Sequence, residues 1–170
     1  MGIKRTSQPL NIGATLELPD GTPTSIEVNL PLSSLDREVF VVTDIQMDAE
    51  RLNFPAAPGF AVLSASVNKT KTTVTRVNDP NCVGSMSKTV EHTATGASLI
   101  QQNRNPDEAS TGVTPDYLTI IATPDFVLAG SYATTAGGTA DKSVQARITG
   151  YRAVATADVY AAMVTEELNQ

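Results

Sequence analysis

One histidine, one cysteine and two carboxylates on a hydrophobic strand are the residues of this chain that could do chemistry. His92 has no second histidine to share a metal with and no cysteine beside it. A nucleophilic triad would need a positioned serine, and no Gly-x-Ser-x-Gly motif occurs. His92 therefore reads as a surface residue on a polar strand. Cys82 follows Asn78-Asp-Pro-Asn81 in an expected loop. A lone cysteine excludes an intrachain disulfide and leaves a free buried thiol or an intermolecular disulfide across a symmetry axis. Asp44 and Asp48 lie four residues apart in Arg37-Glu-Val-Phe-Val-Val-Thr-Asp-Ile-Gln-Met-Asp48 and point the same way along a strand. Calcium takes roughly six to eight oxygen ligands, so Asp116, Asp125 or loop carbonyls would have to complete a cation site. No Asp-x-Asp-x-Asp-Gly loop is present, and hydrogen-bonded turn carboxylates are the simpler reading.

Three further motifs carry little. Gly137-Gly138 has no lysine at phosphate-loop spacing, and Asn68-Lys-Thr70 matches a glycosylation sequon of a kind that arises by chance. The amides of residues 101–105 could hydrogen-bond a sugar but read as a solvated loop. No catalytic residue and no cofactor is expected, and the chain is not expected to be an enzyme.

Composition fits a scaffold. The 170 residues suit one domain with a real core. Val, Ala and Thr are used heavily, Trp is absent, and eleven Gly and ten Pro are spread along the chain. That is the make-up of many short strands joined by turns. The net charge is −6, and Lys4-Arg5 is the one basic hint, so direct nucleic-acid binding is not expected. No segment approaches the roughly 20 apolar residues of a membrane span, and no apolar leader opens the chain.

The elements that would position these residues follow from alternation. Residues 1–9 read as an extended arm. Leu10–Leu18 and Ser25–Leu30, joined by Pro19-Asp-Gly-Thr-Pro23, read as a β-hairpin. In the strand from Arg37 to Asp48, strict alternation puts Val39, Val41, Thr43, Ile45 and Met47 on one side. Phe40 and Val42, then Asp44 and Gln46, fall on the other. Its start is apolar on both faces and its end on one. Phe60–Asn68, Thr72–Val77 and Val83–Thr95 follow, the last a polar strand that reads as an edge strand or a solvated face. Residues 96–116 read as irregular. Tyr117–Thr123 (Leu118, Ile120 and Ala122 inward), Phe126–Thr134 and Ser143–Val154 complete the strands. From Thr156, a residue of N-cap type, to about residue 167, Tyr160, Met163, Val164 and Leu168 recur at helical spacing.

About eight to ten strands with turns every ten or so residues have the pattern of an all-β antiparallel sandwich or barrel over 10–155. A short helical tail occupies 156–170. The strand set Arg37–Asp48, Phe126-Val-Leu-Ala-Gly-Ser-Tyr132 and Val144-Gln-Ala-Arg-Ile-Thr-Gly-Tyr-Arg152 resembles that of single-jelly-roll capsid proteins of small icosahedral viruses, including those of prokaryotes. The resemblance implies an all-β antiparallel β-sandwich of jelly-roll type and a structural protein of the virion that self-assembles into a shell, with copies of itself and other capsid proteins as partners. It departs from many such coats in lacking a basic arm. The expected contact residues are Lys4 and Arg5 in the arm, Phe54 and Phe60 in the 53–60 loop, Arg104 in the 101–113 loop, and Tyr160, Met163, Val164 and Leu168 in the helix. The alternative is a non-catalytic carbohydrate-binding or adhesin-type sandwich, which the scarcity of aromatics disfavours.

Overall fold

The computed structural model describes residues 3–56, 58–96, 98–105, 117–135 and 141–169. Ten strands and one helix are formed: β1 (Ile3–Arg5), β2 (Leu10–Leu18), β3 (Thr24–Asn29), β4 (Glu38–Ala49), β5 (Gly59–Asn68), β6 (Cys82–His92), β7 (Ser98–Asn105), β8 (Thr119–Ile121), β9 (Asp125–Thr134), β10 (Lys142–Ala155) and α1 (Ala157–Leu168). One sheet runs β2–β10–β4–β8, with β1 also on β10 beyond the end of β2. The other runs β3–β9–β5–β6–β7. Setting aside β1 and β7, successive strands alternate between sheets up to β5, then β6 pairs β5 and β8 returns to the first sheet. That is the strand order of a jelly roll, two Greek keys folded onto each other. All ladders are antiparallel.

The strand order corrects the expected β2–β3 hairpin. β2 pairs with β10 and β3 with β9, so the turn from Pro19 to Pro23 carries the chain from one sheet to the other. The alternation survives in β2, whose Leu10, Ile12, Ala14, Leu16 and Leu18 all face the core, and in β3 through Val28. Leu16, Leu18 and Leu30 are buried, whereas Ile26, expected inside, is exposed on the edge.

Between the sheets lies the main core, with Phe40, Val42, Leu63, Val67, Phe126, Leu128 and Ile148 fully enclosed. Each such side chain contributes about 1.5–3 kcal/mol by leaving water. A second core lies outside the first sheet. Val39, Val41, Ala122, Ala153 and Ala155 form its floor, and Val159, Tyr160, Met163 and Val164 of α1 form its lid. The two-faced start of β4 is thus explained: Phe40 and Val42 face the other sheet, while Val39 and Val41 face the helix.

The expected facing of β4 fails beyond Val42. Thr149 pairs with Asp44 but Gly150 pairs with Val42, so Thr43 is an extra residue, a β-bulge. One inserted residue inverts the alternation, and Ile45, Met47 and Ala49 join the main core with Phe40 and Val42. β8 is likewise two-faced. Ile121 enters the main core, whereas Ile120 and Ala122 lie in the second one.

Three further readings change. β6 is not an edge strand, because Ser98–Asn105, expected to be irregular, pairs along it as β7. Residues 72–77 form no strand. They cross the outside of β5, where Ser66 Oγ accepts from Thr75 N (2.9 Å) and Asn68 donates to the carbonyls of Lys71 and Thr73 (2.7 Å each). Small polar side chains on that face of β5 satisfy the loop backbone in place of a ladder. Thr156 is the N-cap by backbone conformation, but its side chain makes no capping hydrogen bond.

Tyr132 is the largest fully enclosed side chain, and its hydroxyl has no partner among the described residues. An unpaired buried hydroxyl costs about 1–3 kcal/mol. Tyr132→Phe is therefore expected to raise the urea midpoint or leave it unchanged. A loss above about 1 kcal/mol would show that the hydroxyl is bonded.

Candidate functional site

The residues with chemical potential do not converge. Asp44 and Asp48 sit on the outer face of the first sheet, downstream of the bulge. Asp44 accepts from Gln46 Nε2 (3.3 Å), and Asp48 accepts from its neighbour's backbone, Ala49 N (2.9 Å). Arg104 of β7 lies 3.5 Å from Asp48 in an exposed ion pair. Asp125 is elsewhere, at the start of β9, and Asp116 lies outside the described residues. Among the described residues no three of His, Cys, Asp and Glu are grouped to hold a metal. His92 closes β6, with Nδ1 3.2 Å from the Pro55 carbonyl. Cys82 opens β6 rather than lying in a loop, and is half-buried. Asn68 is enclosed and both its amide hydrogens are engaged, so the sequon cannot accept a glycan in the folded chain. Gly137-Gly138 lies outside the described residues.

What the fold does assemble is surface. The ends of β2, β4, β6 and β9 and the starts of β3, β5, β7 and β10 gather at one end of the sandwich. There Phe60 N donates to Thr135 Oγ1 (2.8 Å), Thr135 N returns a bond to Phe60 O (2.9 Å), and Asp20 accepts from Thr134 N (3.1 Å). A Cβ on Gly59 would lie 2.5 Å from Thr135 Oγ1 and 2.7 Å from Ala56 O, so only glycine lets the loop approach β5 this closely. On this braced backbone Phe54 and Phe60 are 48% and 43% exposed. They are the two expected contact residues that the structure presents as free aromatic surface.

The other expected contacts divide. Lys4 and Arg5 belong to β1, which pairs with the chain's own β10, and Arg5 stacks 4.6 Å from the centre of the Tyr151 ring. The arm is thus pinned to the subunit's own sheet through Ile3–Arg5. Arg104 lies on β7, and residues 106–113 of the expected contact loop lie outside the described residues. Tyr160, Met163 and Val164 are half-buried against their own sheet, while Leu168 is exposed. The helix buries Glu167 in place of Leu168.

Glu167 is the residue that reading the sequence missed. It is 2% exposed at the far end of the sandwich, where the 69–81 and 122–124 connections meet α1. Its carboxylate accepts from Ala122 N at 3.0 Å to each oxygen and from Thr123 N at 3.0 Å, and Lys69 Nζ lies 3.8 Å away. Its carbonyl accepts from Thr70 Oγ1 (3.3 Å). One signal was present: 160, 163, 164 and 167 complete the i, i+3, i+4, i+7 stripe of a buried helix face.

The 69–81 loop is itself tied down. Asn81 is enclosed, and its side-chain oxygen accepts from the backbones of Thr70 and Lys71 (3.0 Å each). Lys71 Nζ bonds Asp79 at 2.8 Å, and that bond, with a second from Asn81 N, holds the Asp79 carboxyl below its ordinary value of 3.8. The arrangement can brace a helix and a loop, and it brings no acid, base and nucleophile together.

No family model matches the chain, and neither a curated protein nor a solved structure matches it. The class defined by the structure is therefore the one its own strands define, an all-β jelly-roll sandwich with a C-terminal helix.

Proposed function

We propose that this chain is a structural protein that self-assembles into a closed shell, as jelly-roll capsid proteins of small viruses do. The observation that carries the reading is the strand order, β2–β10–β4–β8 facing β3–β9–β5–β6. Jelly rolls also serve as lectin domains and cupins, so fold alone is an argument by analogy. The disposition of the surface supports the shell reading. The sandwich is braced at both ends by hydrogen-bonded loops, and apolar side chains stand out on several sides at once: Phe54 and Phe60 at one end, Leu99 and Ile100 on an edge, Leu35 and Val77 on connections. Contacts distributed around a rigid block suit assembly by repeated symmetry.

In this reading the sandwich is the wall, and the loops meet neighbouring copies. The net charge of −6 leaves genome neutralisation to another component. The virion would then be the place of action.

The exposed pair Phe54 and Phe60 favours a second reading, a binding sandwich that stacks a sugar ring on an aromatic platform. Size-exclusion chromatography with negative-stain microscopy separates the two. Uniform large particles are the expected result. A chain that stays monomeric at high concentration and binds glycans through Phe54 and Phe60 would replace the shell by the binding module.

A further inference from the structure

Sandwich proteins blunt their sheet edges with short strands, prolines or charges, because an open edge invites another strand. Here β8 has three residues and β1 three, β3 has six with Glu27 among them, and β2, the other long edge, has nine with Gly13 and Glu17 among them. β7 differs. It runs for eight residues, SLIQQNRN, with no proline, lysine or acid. Among the described residues no strand lies on its far side. Leu99 and Ile100 are 51% and 64% exposed and, as neighbours in a strand, point to opposite faces. Ile100 stands opposite Val90 of β6 and so lies on the inner face, overhanging the narrower first sheet.

Resting on the self-assembly reading above, we infer that β7 pairs with β7 of a second copy across a twofold axis, so that one sheet runs through both subunits. Strand direction selects the twofold. The five strands of this sheet are all antiparallel to their neighbours, so its two edges, β3 and β7, run the same way. Repeating the subunit by translation would set β7 parallel to the next β3, the less stable ladder. A twofold perpendicular to the sheet sets β7 antiparallel to its twin, an isologous contact that closes on itself. Charge permits it. Arg104 is the only charged residue of β7 and lies 3.5 Å from Asp48 of its own chain. A register centred on Ile100 brings the two Ile100 side chains together and keeps the two Arg104 at opposite ends.

The test uses the full chain with Cys82→Ser. Ile100→Cys is added in one variant and Glu27→Cys, on the opposite edge, in another, with circular dichroism confirming native sheet content in each. Under mild oxidation Ile100→Cys is expected to give a covalent dimer on a non-reducing gel and Glu27→Cys to stay monomeric. In sedimentation, Ile100→Lys is expected to weaken self-association of the native chain at least tenfold. Large particles that persist while Ile100→Cys fails to cross-link overturn the β7 contact and leave the shell reading standing. Covalent β7 dimers from a chain that forms nothing larger keep the contact and remove the shell. A native chain that is monomeric at every concentration, with no cross-link, overturns both.

Discussion

Replacing Glu167 by Ala is expected to cost about 3–5 kcal/mol of stability, the cost of breaking one side of a buried ion pair and its hydrogen bonds. The carboxylate accepts from two backbone N–H groups, Ala122 and Thr123, in a place water does not reach. Without it both donors are orphaned, at about 1–3 kcal/mol each, and Lys69 loses its counter-charge. Glu167→Gln retains one acceptor oxygen and should cost less than Glu167→Ala. Urea denaturation of the two variants measures the difference. Equal losses for both would show that the charge, not the acceptor geometry, holds the helix. Removal of residues 156–170 should do more harm than either point change, since it also uncovers Val39, Val41, Ala153 and Ala155. Loss of the sheet signal is the expected outcome. Native sheet content in that truncation would show that the lid is dispensable.

The second large effect is expected at Gly150. Its backbone is not in the left-handed region, so the constraint is space. A Cβ there would overlap the Val41 carbonyl oxygen and lie 2.6 Å from Phe40 Cε1. Neither can yield easily: one is backbone in the neighbouring central strand, the other a fully enclosed ring. Overpacking a core costs about 1–3 kcal/mol when side chains can shift, and more when they cannot. Gly150→Ala is expected at or above the top of that range, and Gly150→Val to prevent soluble expression. Gly130→Ala is the control. Its Cβ would meet Leu18 Cδ2 at 2.6 Å, the far end of a rotatable side chain, so the loss should be smaller. A Gly150→Ala protein as stable as Gly130→Ala would show that β10 can back away from β4 at the bulge.

Gly150 and Glu167 also mark where reading the sequence stopped. Alternation in β5 and β9 is legible because each strand stays in phase: Ala61, Leu63, Ala65 and Val67 face in, as do Phe126, Leu128 and Tyr132. In β4 the same rule assigns Ile45 and Met47 to the wrong face. Thr43 is a good strand residue, and nothing in its type announces the bulge. The β2–β3 hairpin failed for a related reason. A short turn between two amphipathic runs looks the same whether the runs pair or cross between sheets. β7 was hidden by its own polarity, since an edge strand has little to bury. Glu167 was passed over because carboxylates are rarely core residues, although the helix stripe pointed to it. The candidate contacts were legible only as exposed apolar side chains. Phe54 and Phe60 stand free, whereas Tyr160, Met163 and Val164 are engaged by their own sheet.

The place of β10 in the chain has a kinetic consequence. Among the described residues it is the one strand joining β2 to β4, and its ladder closes contacts such as Thr149 to Asn11 and Arg152 to Ser7, which are 138 and 145 residues apart. Loops that long are slow to close, and topologies rich in distant pairings fold in about milliseconds to seconds. The β5–β6–β7 meander needs only neighbours in sequence and can form first. For that interval the molecule holds a three-stranded meander whose apolar face has no cover, while β9 and β3 have still to join its sheet. Folding is therefore a race between the arrival of β10 and collision with another chain, and it is won more often at low concentration or beneath a chaperone.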